Sequence, residues 1–315
     1  MGFLSFVPYY HERIWGGRSF ETLLKRELPK NERIGESWEI VDRAEAQSIC
    51  KGDRFEGQTL RQIMGEHTSY LMGPSWEKEM PFPLLVKWLD CNERLSLQVH
   101  PPKEKSALLK SEPKTEYWYI AETTRPEAAI FVGMKKPLSQ KMFLDSLQSN
   151  ELEKQLNQYR TKPGNSILVP SGCIHAIDAG NLILEIQQNS DTTYRVYDWD
   201  RRDSQGRTRE LHLKEALASI DFEIPPPFLI SSDNKSQVIA NCEHFKIQRI
   251  HLNQGGKIDF NAFEEPRIVS IVKGNLLSQK EHPLSYGDNI LIPYAESEQL
   301  LALSYSILLV TTSFG

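Results

Sequence analysis

The stretch KPGNSILVPSGCIHAI, residues 162–177, has an echo near the end of the chain. Residues 163–175, PGNSILVPSGCIH, align without a gap on residues 286–298, YGDNILIPYAESE. Gly164 matches Gly287, Asn165 matches Asp288, and SILVP matches NILIP. The shared pattern is a turn glycine, a short β-prone run, and a proline that ends the ladder. Two copies of one β unit in a chain imply two related β domains. The copies part where chemistry would sit: Gly172 becomes Ala295, and His175 becomes Glu298. A lone histidine in an apolar strand is ordinarily a packed residue, so His175 needs partners elsewhere before it reads as a ligand.

Outward from this repeat the chain is rich in short β-prone runs. PLLVKWLD, RLSLQVH, EYWYIAE, AAIFVGM, LILEIQQ and TYRVYDW precede or follow it, separated by turn residues, and EHFKIQRIHL, RIVSIVKGNLLS and YSILLVTT fill the last segment. Helical periodicity is confined to residues 19–28, 60–67, 138–159 and 211–221. Many short strands with almost no alternation with helices predict a mostly β protein of sandwich or barrel domains. The prolines of EIPPPF, residues 223–228, suit neither helix nor ladder and read as a linker. They divide the chain into residues 1–222 and 229–315, as its length of 315 residues favours.

Composition excludes several classes. Hydrophobic residues are 39% and charged residues 25%, an ordinary balance, and the net charge is −5 with Lys and Arg scattered. No basic stripe suggests nucleic acid, and no run approaches the ~18 apolar residues of a membrane span. The N-terminal apolar run is interrupted by Pro8 and by charges, which argues against a signal peptide, and Phe6 occupies the position where myristoylation needs Ser or Thr. Cys50, Cys91, Cys173 and Cys242 form no CxxC pair and read as reduced thiols of a cytoplasmic protein.

Gly-x5-Pro-x-Gly-x2-His at residues 164–175 resembles the second motif of the cupins, β-barrels of the jelly-roll type. The resemblance implies that His175 binds a divalent metal, with further ligands from an upstream motif. LSLQVHPPKEKSALLKSEPKTEYWYI supplies Gln98-x-His100 and then Glu116. A spacing of two puts Gln98 and His100 on one strand face. This set suits one Zn²⁺ per chain, and Mn²⁺, Fe²⁺ or Co²⁺ by ligand type. The expected fold is then two cupin-type jelly-roll barrels, the first with helical inserts and the metal, the second without ligands.

QVHPP, KTEYWYI, VPSGCIHAI and EIQQNSDTTYRVYDWDR together resemble a narrower group, the type I mannose-6-phosphate isomerases in their short bacterial form. RIWGG and GESWEI resemble family segments as well. The resemblance implies zinc-dependent interconversion of mannose 6-phosphate and fructose 6-phosphate through an enediol(ate), with Arg195 as the catalytic arginine. A carbon acid of this kind needs its developing oxyanion stabilised, and an arginine stays charged at any working pH. Lys114, two residues before Glu116, is placed to donate to a sugar oxygen or relay a proton. Glu185 and Asp191 are candidates for the general base and for positioning; alternation leaves the face of Glu185 open, and Asp191 has the alternative of pairing with Arg195. By position, Ser96 and Arg201 resemble residues of the phosphate end, and Trp15 is a candidate wall of the sugar pocket. The expected partner is a sugar phosphate, with neither nucleic acid nor membrane, in a monomer or weak homo-oligomer. The competing readings are a metal cupin of another enzyme class, such as a dioxygenase, or an inactive sugar-phosphate-binding cupin.

Overall fold

The computed structural model describes residues 2–202, 205–233 and 235–314. It is mostly β, with four antiparallel sheets and a few short helices. A six-stranded sheet runs in the order Ser166–Val169, Glu116–Thr123, Asn181–Gln188, Leu84–Cys91, Ile34–Ile40, Tyr9–Gly17. A five-stranded sheet has the order Tyr194–Tyr197, Leu97–Val99, His175–Ile177, Ala129–Met134, Leu156–Arg160. The two face each other across a core that includes Trp118, Ile120 and Ile183 from the first and Ile130, Val132 and Ile177 from the second.

The six-stranded sheet is covered on its other face too. Trp88, Tyr117, Leu184 and Ile186 pack there with Phe245 and with Ile247, Ile268 and Leu309 of a seven-stranded sheet. Its central strands are therefore buried along their whole length, which is why PLLVKWLD reads as a near-continuous apolar run. The seven-stranded sheet in turn faces a four-stranded one across Val269, Ile271, Leu276, Ile290 and Leu300. The expected jelly rolls are thus two pairs of facing sheets; backbone pairing closes neither pair into a barrel.

The sequence repeat is a structural repeat. Gly164 and Gly287 both turn with positive φ, +86° and +98°, and lead into strands Ser166–Val169 and Asn289–Ile292. His175 opens the strand His175–Ile177, and Glu298 opens Glu298–Ala302. Glu298 is buried, and its carboxylate accepts the backbone N–H of Gln279 at 2.7 Å. In the second copy this position caps backbone.

Sheet membership runs across the linker. Leu4–Phe6 pairs with Asn289–Ile292, and Cys50–Lys51 pairs with Leu4–Phe6, so both lie in the seven-stranded sheet. The linker itself lies along the first half: the Tyr159 hydroxyl donates to the Pro227 carbonyl, and Ile230 and Ser166 exchange two backbone bonds.

Two helix expectations are corrected. Residues 19–28 give only the helix Ser19–Thr22, and Lys25 adopts φ +57°. The turn lets Arg26 reach the buried Glu39 at 2.6 Å and the Gly287 carbonyl at 2.7 Å, and these tertiary bonds override helical propensity. Residues 138–159 split into helices Gln140–Gln148 and Leu152–Gln155 around Asn150 at φ +57°, and Leu156–Arg160 becomes an edge strand. The helix expected over 60–67 starts at a Thr59–Gln62 capping box and breaks at His67, where φ is −131° and ψ 34°; a further helical turn continues to Leu71. Among the described residues no helix is long and apolar enough to cross a membrane.

Candidate active site

Cross-strand register assembles the site. In the five-stranded sheet Gln98 lies opposite His175 on one side and Arg195 on the other. Directly opposed residues share a face, so Arg195, Gln98 and His175 form one row. In the six-stranded sheet Glu185 lies opposite Trp118 and Lys87, and Lys87 lies opposite Trp38. Glu116, two residues before Trp118, joins that face. The two rows enclose a cavity of about 390 Å³ lined by Trp15, Ser96, Gln98, Lys114, Glu116, Glu185, Asp191 and Arg195, among others.

Behind the lining residue Glu116 lie His100 and His175, and all three are about 1% exposed. Their ligand atoms lie within 4.8 Å of one another. His100 Nε2 is 2.9 Å and His175 Nε2 is 3.7 Å from the two Glu116 oxygens. Each imidazole donates its other ring nitrogen to a carbonyl: His100 Nδ1 to Thr192 O at 2.7 Å, His175 Nδ1 to Cys173 O at 2.9 Å. This fixes the tautomer and turns both Nε2 lone pairs inward. The buried His100 Nε2 has no hydrogen-bond donor, and Glu116 Oε1, although 2.8 Å from Lys114 Nζ, completes no well-angled hydrogen bond. Buried polar atoms are rarely left so, and atoms that crowd together without bonding one another fit a shared cation. Burial holds His175 below the usual imidazole range, and burial with the Lys114 charge pushes His100 down to about 3; neutral rings are what a metal requires. Gln98 places its amide 3.3 Å from His175 Nε2, and a half-turn of that amide points its oxygen at the same centre. Two nitrogens, a carboxylate and an amide oxygen therefore fit a divalent metal of the Zn²⁺ type.

Beside this set is a charged wall. Lys114 Nζ is 2.8 Å from Glu116 Oε1. Glu185 faces the cavity, which settles the face that alternation left open, and Lys87 Nζ is 3.4 Å from its Oε2. Burial and the neighbouring Glu116 charge push Glu185 well above the ordinary carboxyl range. Asp191 is exposed at the rim, and among the described residues no ion pair joins it to Arg195. Trp15, 4% exposed, both lines the cavity and belongs to the core between the sheets, while Trp38 stands behind and donates to Glu36 Oε2 at 2.8 Å. Arg195 donates Nη1 to the Glu210 carbonyl at 2.7 Å. Arg201 does not line this cavity; it donates to the Arg94 carbonyl and lines two neighbouring clefts, one of them shared with Asp198 and Arg209.

Four further charged residues line the cavity: Lys87, Glu36, Arg13 and Arg209. Lys87 carried a signal in the sequence, because a lone charge inside an apolar strand needs a buried partner. Glu36 carried a weaker one in GESWEI. Arg13 grips Glu36 through two nitrogens, at 2.9 and 3.3 Å. Arg209 comes from an irregular segment, where periodicity gives no orientation.

Residues 3–140 match the family model described as phosphomannose isomerase type I, catalytic domain. The chain is 33% identical over 305 residues to mannose-6-phosphate isomerase ManA of Bacillus subtilis (strain 168), covering 94% of each chain. It superposes on a crystal structure of mannose 6-phosphate isomerase from Bacillus subtilis with a TM-score of 0.87 at 29% identity, covering 99% of each chain. The fold is also that of a mannose 6-phosphate isomerase crystallised with zinc and yttrium, with a TM-score of 0.74 at 14% identity and 99% of each chain covered.

Proposed function

The chain belongs to the type I phosphomannose isomerase family, and from that premise we propose that it interconverts mannose 6-phosphate and fructose 6-phosphate with one bound Zn²⁺. The observation that carries the metal is the buried, inward-turned set of His100, Glu116 and His175 beside Gln98. These four residues would hold the ion. When bound, it acts as a Lewis acid toward substrate oxygens.

The chain's own groups supply the rest. Aldose–ketose exchange moves one proton between C1 and C2 and one between their oxygens, through an enediol(ate). The Glu185 carboxylate, kept dry beside Lys87, is the proposed base that takes the carbon-bound proton and returns it to the neighbouring carbon. Lys114 Nζ donates to, and relays the proton between, the sugar oxygens. Asp191 at the rim positions the sugar. The Arg195 guanidinium stabilises developing negative charge, and Trp15 walls the ring. Ser96, buried at the cavity wall, and Arg201, in the adjoining cleft, serve the phosphate end. The reading keeps the cytoplasm as compartment and a monomer or weak homo-oligomer as state.

The testing experiment is a coupled isomerase assay in deuterated water. Deuterium should enter at C2 of recovered mannose 6-phosphate. Turnover without any solvent exchange would favour hydride transfer and remove the base role of Glu185.

A further inference from the structure

The family resemblance directs attention to Arg201 for the phosphate end, and the geometry adds a neighbouring arginine to it. Two guanidiniums line the cavity, Arg195 and Arg209, and both share it with the buried Ser96. They are brought together by a local clamp. His212 N–H donates to the Arg195 carbonyl at 2.8 Å, Arg195 N–H donates to His212 Nδ1 at 3.2 Å, and Arg195 Nη1 donates to the Glu210 carbonyl at 2.7 Å. This ties residues 210–212 to the strand Tyr194–Tyr197 and sets Arg209 beside Arg195. Asp198, buried at the end of the same segment, holds the Arg209 fork through both carboxylate oxygens, with Nε at 2.8 Å. Asp198 is thus committed to Arg209, while Arg195 and the neighbouring Arg201 each keep a buried guanidinium nitrogen with no hydrogen-bond partner. The proximity registers in Arg195, whose pKa is lowered first by burial and then by the Arg209 charge. Three guanidiniums, Arg195, Arg201 and Arg209, gather near the single carboxylate of Asp198, with the Ser96 hydroxyl in the same cavity wall, and are short of negative charge. The missing component is a dianion with several acceptor oxygens.

We infer that Arg209, oriented by Asp198, is a phosphate-binding guanidinium of the cavity and sets the preference for phosphorylated over unphosphorylated sugars. The inference rests on the isomerase reading of the cavity. Asp198 acts through Arg209 and is a positioning residue. Arg201, bonded to the Arg94 carbonyl, lies in the adjoining cleft that it shares with Asp198 and Arg209.

The test separates binding from turnover. Calorimetric titration of the holoenzyme with inorganic phosphate, and KM and kcat for mannose 6-phosphate, are measured on wild type, Arg209→Ala, Arg209→Lys, Asp198→Asn and Arg201→Ala. Losing a charge-assisted contact of this kind weakens binding about 10- to 100-fold. Arg209→Ala should raise KM and the phosphate Kd by that factor while kcat changes a few-fold at most. Arg209→Lys keeps charge without the fork and should fall between, as should Asp198→Asn, so the assignment stays testable if the alanine variant misfolds. Unchanged phosphate affinity and KM in the Arg209 variants would overturn the inference, as would an effect confined to Arg201→Ala. A wild type that binds phosphate through Arg209 without turning over either sugar would instead sink the isomerase reading and leave the phosphate site standing.

Discussion

At the residue scale, the site is a set of buried charges that stabilise one another. Glu36 is the clearest case: Lys87, the Arg13 fork and the Trp38 indole hold its carboxyl at about 2 despite burial. A carboxyl depressed in the folded state stabilises the fold fully above its ordinary pKa and loses that contribution as pH falls through the folded value. The drop from 4.5 to about 2 corresponds to about 3 kcal/mol. Urea unfolding at stepped pH should show wild type losing about that much between pH 5 and pH 2 relative to Glu36→Gln; parallel curves would show that the carboxylate is not specially held. For Arg195 the expected signature is kinetic. Arg195→Ala should keep fold and metal while kcat falls about 100-fold or more, as for loss of a donor to a developing oxyanion. Loss of metal instead would make Arg195 structural.

At the scale of elements, two facing sheets do the positioning. Arg195, Gln98 and His175 sit in one cross-strand row, and Trp118, Glu185 and Lys87 in another. The spacing of Gln98-x-His100 and the glycine–proline frame of His175 were legible in sequence, because strand alternation and turn chemistry are local. What pairs with what was not, since register is set by tertiary packing, so the face of Glu185 and the partnership with Lys87 needed the structure. Arg209 lay beyond reach for another reason: a hydrogen-bonded loop orients it, with no period to read. The same limit explains the shortened helix at Ser19–Thr22, where Arg26 leaves helical geometry for Glu39. The repeat glycines give a test at this scale. A Cβ on Gly164 would come within 2.6 Å of Ser232 Cβ, in a backbone conformation that L side chains rarely adopt. Gly164→Ala should cost about 1–3 kcal/mol, read as a lower urea midpoint with unchanged slope. An unshifted midpoint would show the turn is not constrained.

At the scale of the whole molecule, the two halves share a core. One face of the six-stranded sheet, with Trp88, Tyr117, Leu184 and Ile186, packs with Phe245, Ile247 and Leu309 of the second half, and Leu4–Phe6 pairs inside the second half's sheet. We propose that the C-terminal unit acts as the cover of the catalytic unit's outer face. Residues 1–222 expressed alone should therefore expose that face, bind ANS and lose near-ultraviolet circular dichroism; a monomeric, cooperatively folded fragment would contradict this. The second half keeps the strand and turn of the repeat but bonds Glu298 to backbone, so the candidate metal set lies in the first copy. The account stands most directly on that ion. Bound metal and conversion of mannose 6-phosphate should be measured on the same sample while a chelator strips it and Zn²⁺ is returned. One metal per chain, with activity lost and restored in proportion to it, is the predicted result. Full turnover of the stripped enzyme, or a metal-replete enzyme that converts neither sugar phosphate, would contradict it.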